Sequence, residues 1–309
     1  MGSSRLLRIA LAGNALFSLT CAAIMLSSPR AVGQWMGLEY PWVYQVVGGG
    51  LIVFGMDLLH QASRHSISSL RALISSLADF GWVLGTAFIL VFYGGYFSAV
   101  GHLTLMGIAA GVCSFGILQA IGIVRLYKVA SRPGVLHYCI RVTTDAPLDA
   151  LWRIIANLAD IKRYAANLAD SRMVNSNEFA VGEKGAVREC RDLKGKQWQE
   201  ELVHIVPNEC LTLRFVAEAE DFPFPATAMT GGWAVLPAQQ GTQVEVYWDL
   251  VPKSALIAFL LMPILEFQIK NSFPAMLGRM TADAKLLAKG EPLSEYAVAS
   301  QPPLLLGTC

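Results

Sequence analysis

Val142-Thr143-Thr144-Asp145-Ala146-Pro147-Leu148-Asp149-Ala150-Leu151-Trp152 is the stretch in which the chain changes period. Before it, Leu136, Tyr138, Ile140 and Val142 alternate with His137, Cys139, Arg141 and Thr143, as a half-buried strand requires. Past Pro147 the apolar residues Leu148, Leu151, Trp152, Ile155 and Leu158 recur at helical spacing, with Asp145 placed to cap and Pro147 in the first turn. A second short helix is predicted around 161–167.

Downstream, turn chemistry separates a series of strands. Gly182-Glu183-Lys184-Gly185 precedes a strand at 186–193, Lys194-Gly195-Lys196 precedes 197–206, and Pro207-Asn208 leads into 210–219. Further strands fit 227–236 and 242–251, split by Gln239-Gln240-Gly241. Such short connections specify an antiparallel meander. A long helix follows at about 254–288. Its apolar start, Ala255–Leu265, is too short to span a bilayer and reads as buried or interfacial, and Pro263 and Pro274 are expected to kink or divide it. The tail after Gly290, residues 290–309, is expected to be disordered.

Upstream of Ser131-Arg132-Pro133-Gly134 the composition is different. The whole chain is 54% hydrophobic and 15% charged, too apolar for an ordinary soluble two-domain protein. Residues 1–134 carry 8 Lys/Arg and 3 Asp/Glu, whereas residues 135–309 carry 16 and 20, so the net charge of +1 is a cancellation. This excludes disorder, a disulfide scaffold and a basic nucleic-acid-binding domain. Four segments, roughly 9–28, 43–63, 72–93 and 101–124, reach the ~20 apolar residues a helical span needs. Residues 1–130 are thus expected to be a four-span transmembrane bundle. Arg5, Arg8, Arg64, Arg71, Arg125, Lys128 and Arg132 flank one side and Arg30 alone the other. Cytoplasmic flanks retain Lys and Arg, so the N-terminus and the C-terminal domain are expected in the cytoplasm, in a bacterial inner (plasma) membrane. Gly107 and Gly111, with Gly81 and Gly85, would permit close helix approach.

Each span carries one conspicuous polar residue. Asn14, Asp57, Asp79 and Gln119 all fall about 9–12 Å from the nearest basic flank at the helical rise. They are expected to form one polar layer, either interhelical hydrogen-bond glue or a proton, ion or head-group site.

In residues 135–289, Val142-Thr143-Thr144-Asp145-Ala146-Pro147 with Leu151-Trp152, the Gly182-x-x-Gly185 turn followed by Arg188, and Trp198-x-x-Glu201-x-Val203-x-Ile205-x-Pro207 resemble the START-like, polyketide cyclase/dehydrase (SRPBCC) superfamily. The resemblance implies an α+β helix-grip: a curved antiparallel sheet wrapped on a long C-terminal helix around a cavity for an apolar ligand. It implies no particular reaction, because one fold hosts many functions. The four-helix half resembles small bacterial four-helix membrane proteins.

No catalytic spacing stands out: there is no His-Glu-x-x-His, Cys-x-x-Cys, phosphate-binding Gly-rich loop or Gly-x-Ser-x-Gly, and neither a metal nor a cofactor is expected. Strand parity leaves two choices. Glu201 faces the cavity if Val203 and Ile205 do; otherwise Trp198, Glu200, Leu202, His204 and Val206 face inward. Glu201 and His204 are the candidate acid–base residues, Glu201 with a structural alternative in pairing to Arg188 or Arg191. Arg188, Trp198, Glu201, Trp233 and Trp248 are candidate ligand contacts. Phe222 and Phe224, in Asp221-Phe222-Pro223-Phe224-Pro225, form a stiff apolar tip that would act as a lid, pack into the core, or touch the bilayer. The reading favoured is membrane-tethered binding, sensing or transfer of a lipid-like or polyketide-like molecule. A cyclase or dehydratase, and a regulated membrane domain with an ion or proton site at Asp57/Asp79, are the alternatives. No feature specifies an oligomeric state.

Overall fold

Long apolar runs can satisfy their backbone polar groups within helices, and the first part of the molecule is helical. In the computed structural model, which describes residues 4–293, Ala297 and the backbone of 304–307, the N-terminal elements are α1 (Arg5–Ser27), α2 (Pro29–Met36), α3 (Pro41–Ser63), α4 (Ser69–Tyr93) and α5 (Ala99–Leu126). The four long helices match the four expected; the short α2 was not expected. Pro29 and Pro41 open α2 and α3, where a missing N–H costs nothing. The Ser68 side chain accepts from the Arg71 N–H to cap α4. Gly37 closes α2 at φ 84°, and a Cβ there would lie 2.4 Å from the Ser98 nitrogen, so only glycine fits.

The outward face of these helices is apolar. Leu16, Val53, Leu84, Val91 and Leu103 are 69–75% exposed. Trp35, Tyr40, Trp42, Tyr93 and Tyr96 are exposed at the helix ends opposite Arg5, Arg64, Arg71 and Arg125. At the basic end the Arg8 guanidinium donates to the carbonyls of Ala62, Arg64 and His65, each at 2.6 Å, joining α1 to the turn after α3. The expected glycine approaches are displaced: Gly81, Gly85 and Gly107 meet nothing, whereas a Cβ on Gly122 would come within 2.9 Å of Leu7 and one on Gly55 within 2.8 Å of Leu19. Spacing alone does not say which side of a helix meets a neighbour.

The C-terminal elements follow the strand–helix–meander order: β1 (Leu136–Thr144), α6 (Leu148–Ala156), α7 (Ile161–Tyr164), β2 (Leu168–Met173), β3 (Val187–Asp192), β4 (Gln197–Val206), β5 (Cys210–Phe215), β6 (Ala226–Pro237), β7 (Thr242–Pro252), α8 (Ala255–Lys289) and β8 (Leu304–Gly307). All strands pair antiparallel in the order β2-β3-β4-β5-β6-β7-β1-β8. This is a curved sheet with a long C-terminal helix, the helix-grip arrangement. The chain divides into two units, Met1–Leu126 with Phe259–Ile264, and Tyr127–Ala258 with Leu265–Cys309.

Several local expectations change. Asp145 does not cap α6; its carboxylate accepts from Lys285 at 2.6 Å, while the Thr144 hydroxyl takes the Ala146 N–H. Pro263 and Pro274 do not divide α8, which is assigned as one helix and capped by Ser254. At 35 residues α8 joins α1, α3, α4 and α5 as a fifth helix long and apolar enough to cross a membrane. Strand β2 lacks clear alternation and was not foreseen. Of the tail expected to be disordered, most lies outside the described residues; Leu304–Gly307 is a strand, because the free edge of β1 offers its backbone partners.

Candidate functional site

Strand β4 decides which side chains enter the grip. Glu200 pairs with Phe215 and Leu202 with Leu213, but His204 then pairs with Thr212, so Val203 is an extra residue in a β-bulge. Each parity considered from sequence therefore holds on one side of the bulge. Glu200 and Leu202 are buried before it; after it Ile205 lies opposite the buried Leu211, and His204 is exposed. Glu201 faces the other way and binds Arg214, at 2.8 Å, rather than Arg188 or Arg191.

The buried carboxylate is thus Glu200. It accepts from Arg188 Nε at 2.8 Å and Nη2 at 2.5 Å, and from Trp198 Nε1 at 2.6 Å. Arg188 also donates to the Leu158 carbonyl at 3.3 Å. A buried ion pair needs such additional bonds to offset desolvation. Beside it, burial and then the Glu200 charge push the Cys190 thiol up to about 12, so this cysteine is no nucleophile. Phe224 stands edge-on to Trp198 at 5.3 Å and to Phe215 at 5.9 Å, and Phe222 packs on Phe224 at 5.4 Å. The Phe222–Phe224 tip is half-buried against this cluster. A solvent-facing cleft of about 400 Å³ lies beside it, lined by Gly195, Lys196, Gln197, Asp221 and Pro223.

Toward β1 the interior is aromatic. Phe273 of α8 contacts Trp233 at 5.8 Å and Trp248 at 4.7 Å, which assigns both tryptophans to the helix-facing side of the sheet. Tyr138 stacks on Trp248 at 6.5 Å, and Tyr127 meets the Tyr138 ring at 6.3 Å. The Tyr138 hydroxyl is buried with no hydrogen-bond partner, and the residue is 3% exposed. Nearby, Glu266 accepts from the Tyr127 hydroxyl and from Lys270. Burial, and secondarily the Glu266 charge, hold the Tyr138 hydroxyl above its ordinary range, so it stays protonated and able to donate. Tyr127, Tyr138, Glu266, Lys270 and Phe273 were missed from sequence. Glu266 and Lys270 stand four apart on a helix, the one legible signal; Tyr127 is 139 residues from Glu266.

Neighbouring residues of opposite parity point away from the helix. Asp249 binds His137 Nδ1 at 2.7 Å and Arg132 at 2.5 and 3.1 Å, and the Tyr247 ring stacks on His137. Burial pushes the Asp249 carboxyl up, but the bonds from His137 and Arg132 outweigh it and hold the group below its ordinary value. Asp283 on α8 accepts from Arg163 at 2.6 Å and from the Tyr164 hydroxyl at 3.0 Å, securing α7.

In the helical unit, three of the four expected polar residues meet. Asn14 Nδ2 donates to both Asp79 oxygens at 3.0 and 2.8 Å, and Gln119 Nε2 donates to Asp79 Oδ2 at 2.9 Å. Asp57 stands apart, bonded to Arg71 and, at 2.6 Å, to Gln61. Position along a helix carries no lateral information, and Arg71 on the next helix captures Asp57.

Among the described residues no group of three or more His, Cys, Asp or Glu side chains is arranged to hold a metal. The sequence profile of a family described as polyketide cyclase/dehydrase and lipid transport matches residues 139–285. No curated protein matches the chain. Similar solved structures include norcoclaurine synthase from Thalictrum flavum, 13% identical, covering 52% of this chain and 88% of its own, TM-score 0.37. The Zhui aromatase/cyclase from a Streptomyces species is 18% identical, covering 51% of this chain and 99% of its own, TM-score 0.40. The di-domain aromatase/cyclase StfQ of the steffimycin biosynthetic pathway is 13% identical, with 60% of each chain covered and a TM-score of 0.38. The family model over 139–285, together with the curved antiparallel sheet and long C-terminal helix, makes the C-terminal part of this chain similar to the polyketide cyclase/dehydrase-type (SRPBCC) family, and an N-terminal region of apolar helices precedes it.

Proposed function

We propose that the helix-grip domain binds a lipid-like or polyketide-like molecule between its sheet and α8, for sensing or transfer, and that the N-terminal helices tether it to a membrane. The observation that carries the binding reading is the partnerless Tyr138 hydroxyl within the wall of Trp233, Trp248 and Phe273. Buried polar groups without partners are few, and ligand sites are mostly apolar with a few polar groups that fix orientation. Tyr138 would supply the donor to one polar atom of the ligand. Supporting the tether are the lipid-like exposure of the helices, the aromatic residues at one end and the arginines at the other. That charge pattern supports a cytoplasmic location for the basic end and the grip domain, at a bacterial inner membrane. Tethering raises the effective concentration of the site where apolar ligands reside.

The test is native mass spectrometry of the full-length protein, followed by tryptophan-fluorescence titration with a fatty acid and a polycyclic phenol. A bound apolar mass, and saturable quenching that Tyr138→Phe weakens about tenfold, the worth of one hydrogen bond, is expected. No co-purified mass and no saturable response to either probe would sink the reading. A second reading, acid–base catalysis on the bound molecule, is favoured by Glu266 standing between Tyr127 and Lys270. In that case Glu266→Gln abolishes turnover of the bound compound while leaving its affinity near the parent value.

A further inference from the structure

Asp79 is 2% exposed, and among the described residues nothing positively charged binds it. Its three donors are neutral amide N–H groups, two bonds from Asn14 and one from Gln119, both residues fully buried. Amides orient a carboxylate but leave its charge uncompensated, and a carboxylate in an apolar helix bundle requires a compensating positive charge. The other aspartate of the bundle has its compensation: Asp57 is paired with Arg71. A second observation marks the same place. Gln119 Oε1, on the amide that holds Asp79, is buried and bonded to nothing. The amide that donates to Asp79 thus carries an idle oxygen, which half a turn of the amide brings to the carboxylate.

We propose that Asp79, Gln119 and Asn14 form a monovalent-cation site in the helical unit, occupied by a proton or by sodium. In the proton case, water delivers H⁺ to Asp79 Oδ2, the carboxylate becomes the neutral acid, and the Gln119 amide rotates half a turn so that its oxygen accepts the new O–H; release reverses both movements. In the sodium case the ion is held by the carboxylate and the same amide oxygen, both hard oxygen ligands. A chain of polar groups leads toward the site from the basic end. The half-exposed Asp57–Arg71 pair contacts Gln61, Gln61 donates to Ser75 at 3.0 Å, and Ser75 lies one helical turn from Asp79 on α4. On the elements packed around Asp79 the other ionisable groups are Arg5, Arg8 and Cys21 on α1, Tyr44, Asp57 and His60 on α3, Arg71 and Tyr93 on α4, and His102, Cys113 and Arg125 on α5. None of them is bonded to Asp79.

The experiment uses the full-length protein in detergent, with Asp79→Asn, Asp57→Asn and Gln119→Leu variants. Thermal midpoints are compared in sodium, potassium and choline chloride at equal ionic strength, and infrared spectra are recorded in H₂O and D₂O at mildly acidic and mildly alkaline pH. A sodium-specific rise of several degrees in midpoint, present in Asp57→Asn and lost in Asp79→Asn, identifies sodium. A protonated-carboxyl band that shifts in D₂O and shows the same variant pattern identifies the proton. Gln119→Leu is expected to require about tenfold more sodium, or to move the carboxyl band. A parent protein with an ionised carboxylate and no sodium response overturns the proposal, as does either signal persisting in Asp79→Asn. The parent protein alone thus suffices to refute it, even where a variant fails to fold.

Discussion

Two buried carboxylates, Glu200 in the grip domain and Asp79 in the helical unit, are both almost excluded from solvent, yet they are treated oppositely. Glu200 meets Arg188 and Trp198, so its charge is neutralised inside the chain and nothing remains for a ligand. Asp79 meets only amides, so its hydrogen bonds are satisfied and its charge is not. The difference separates polarity used to hold a fold from polarity left available. In the grip domain the available group is instead uncharged, the Tyr138 hydroxyl, as suits an apolar ligand.

The contrast is most easily broken at Glu200. Arg188→Met or Glu200→Leu alone leaves an uncompensated buried charge and should cost about 3–5 kcal/mol, whereas the double replacement should cost far less. Thermal unfolding followed by tryptophan fluorescence would show this; equal losses in single and double variants would mean that packing, not charge, dominates. Asp249 gives a smaller effect with a pH signature. Its folded-state carboxyl is held below the ordinary value, so its contribution is complete above the unfolded value near 3.8 and fades as pH falls through and below it. Asp249→Asn should lose about 1 kcal/mol near neutrality and flatten the acid limb of a plot of midpoint against pH.

Asp79→Asn should cost only about 0.6 kcal/mol, the worth of one interhelical hydrogen bond, because an amide retains the contacts and needs no counter-charge. A loss as large as that expected for Glu200→Leu would erase the distinction between the two sites. Smallest of all, Glu201→Gln breaks a half-exposed pair with Arg214 and should change stability by about 0.5 kcal/mol or less, with ligand affinity unchanged.

The long-range periodicities were legible in the sequence. Four apolar runs, the strand–helix switch at Asp145–Pro147 and the turn-separated strands led to the bundle and the helix-grip. What escaped was lateral: which face of a helix meets its neighbour, and which distant residues converge. Asp57 and Asp79 were expected at one depth but do not share a neighbour, since Arg71 acts across the turn between helices. Tyr127 and Glu266 meet only because α8 closes on the sheet. Strand β2, Leu168–Met173, mixes small and charged residues and is held by pairing to β3 rather than by alternation of its own.

The bulge at Val203 resets the phase of a strand. Because Leu202 and His204 face consecutive partners, Leu213 and Thr212, excising Val203 would give an unbroken ladder in which each remaining side chain keeps its present face. Elsewhere in a strand a one-residue deletion turns every later side chain inside out; here it would remove only a bend. The chain at this position is therefore expected to tolerate a one-residue shortening while remaining intolerant of a change in Glu200.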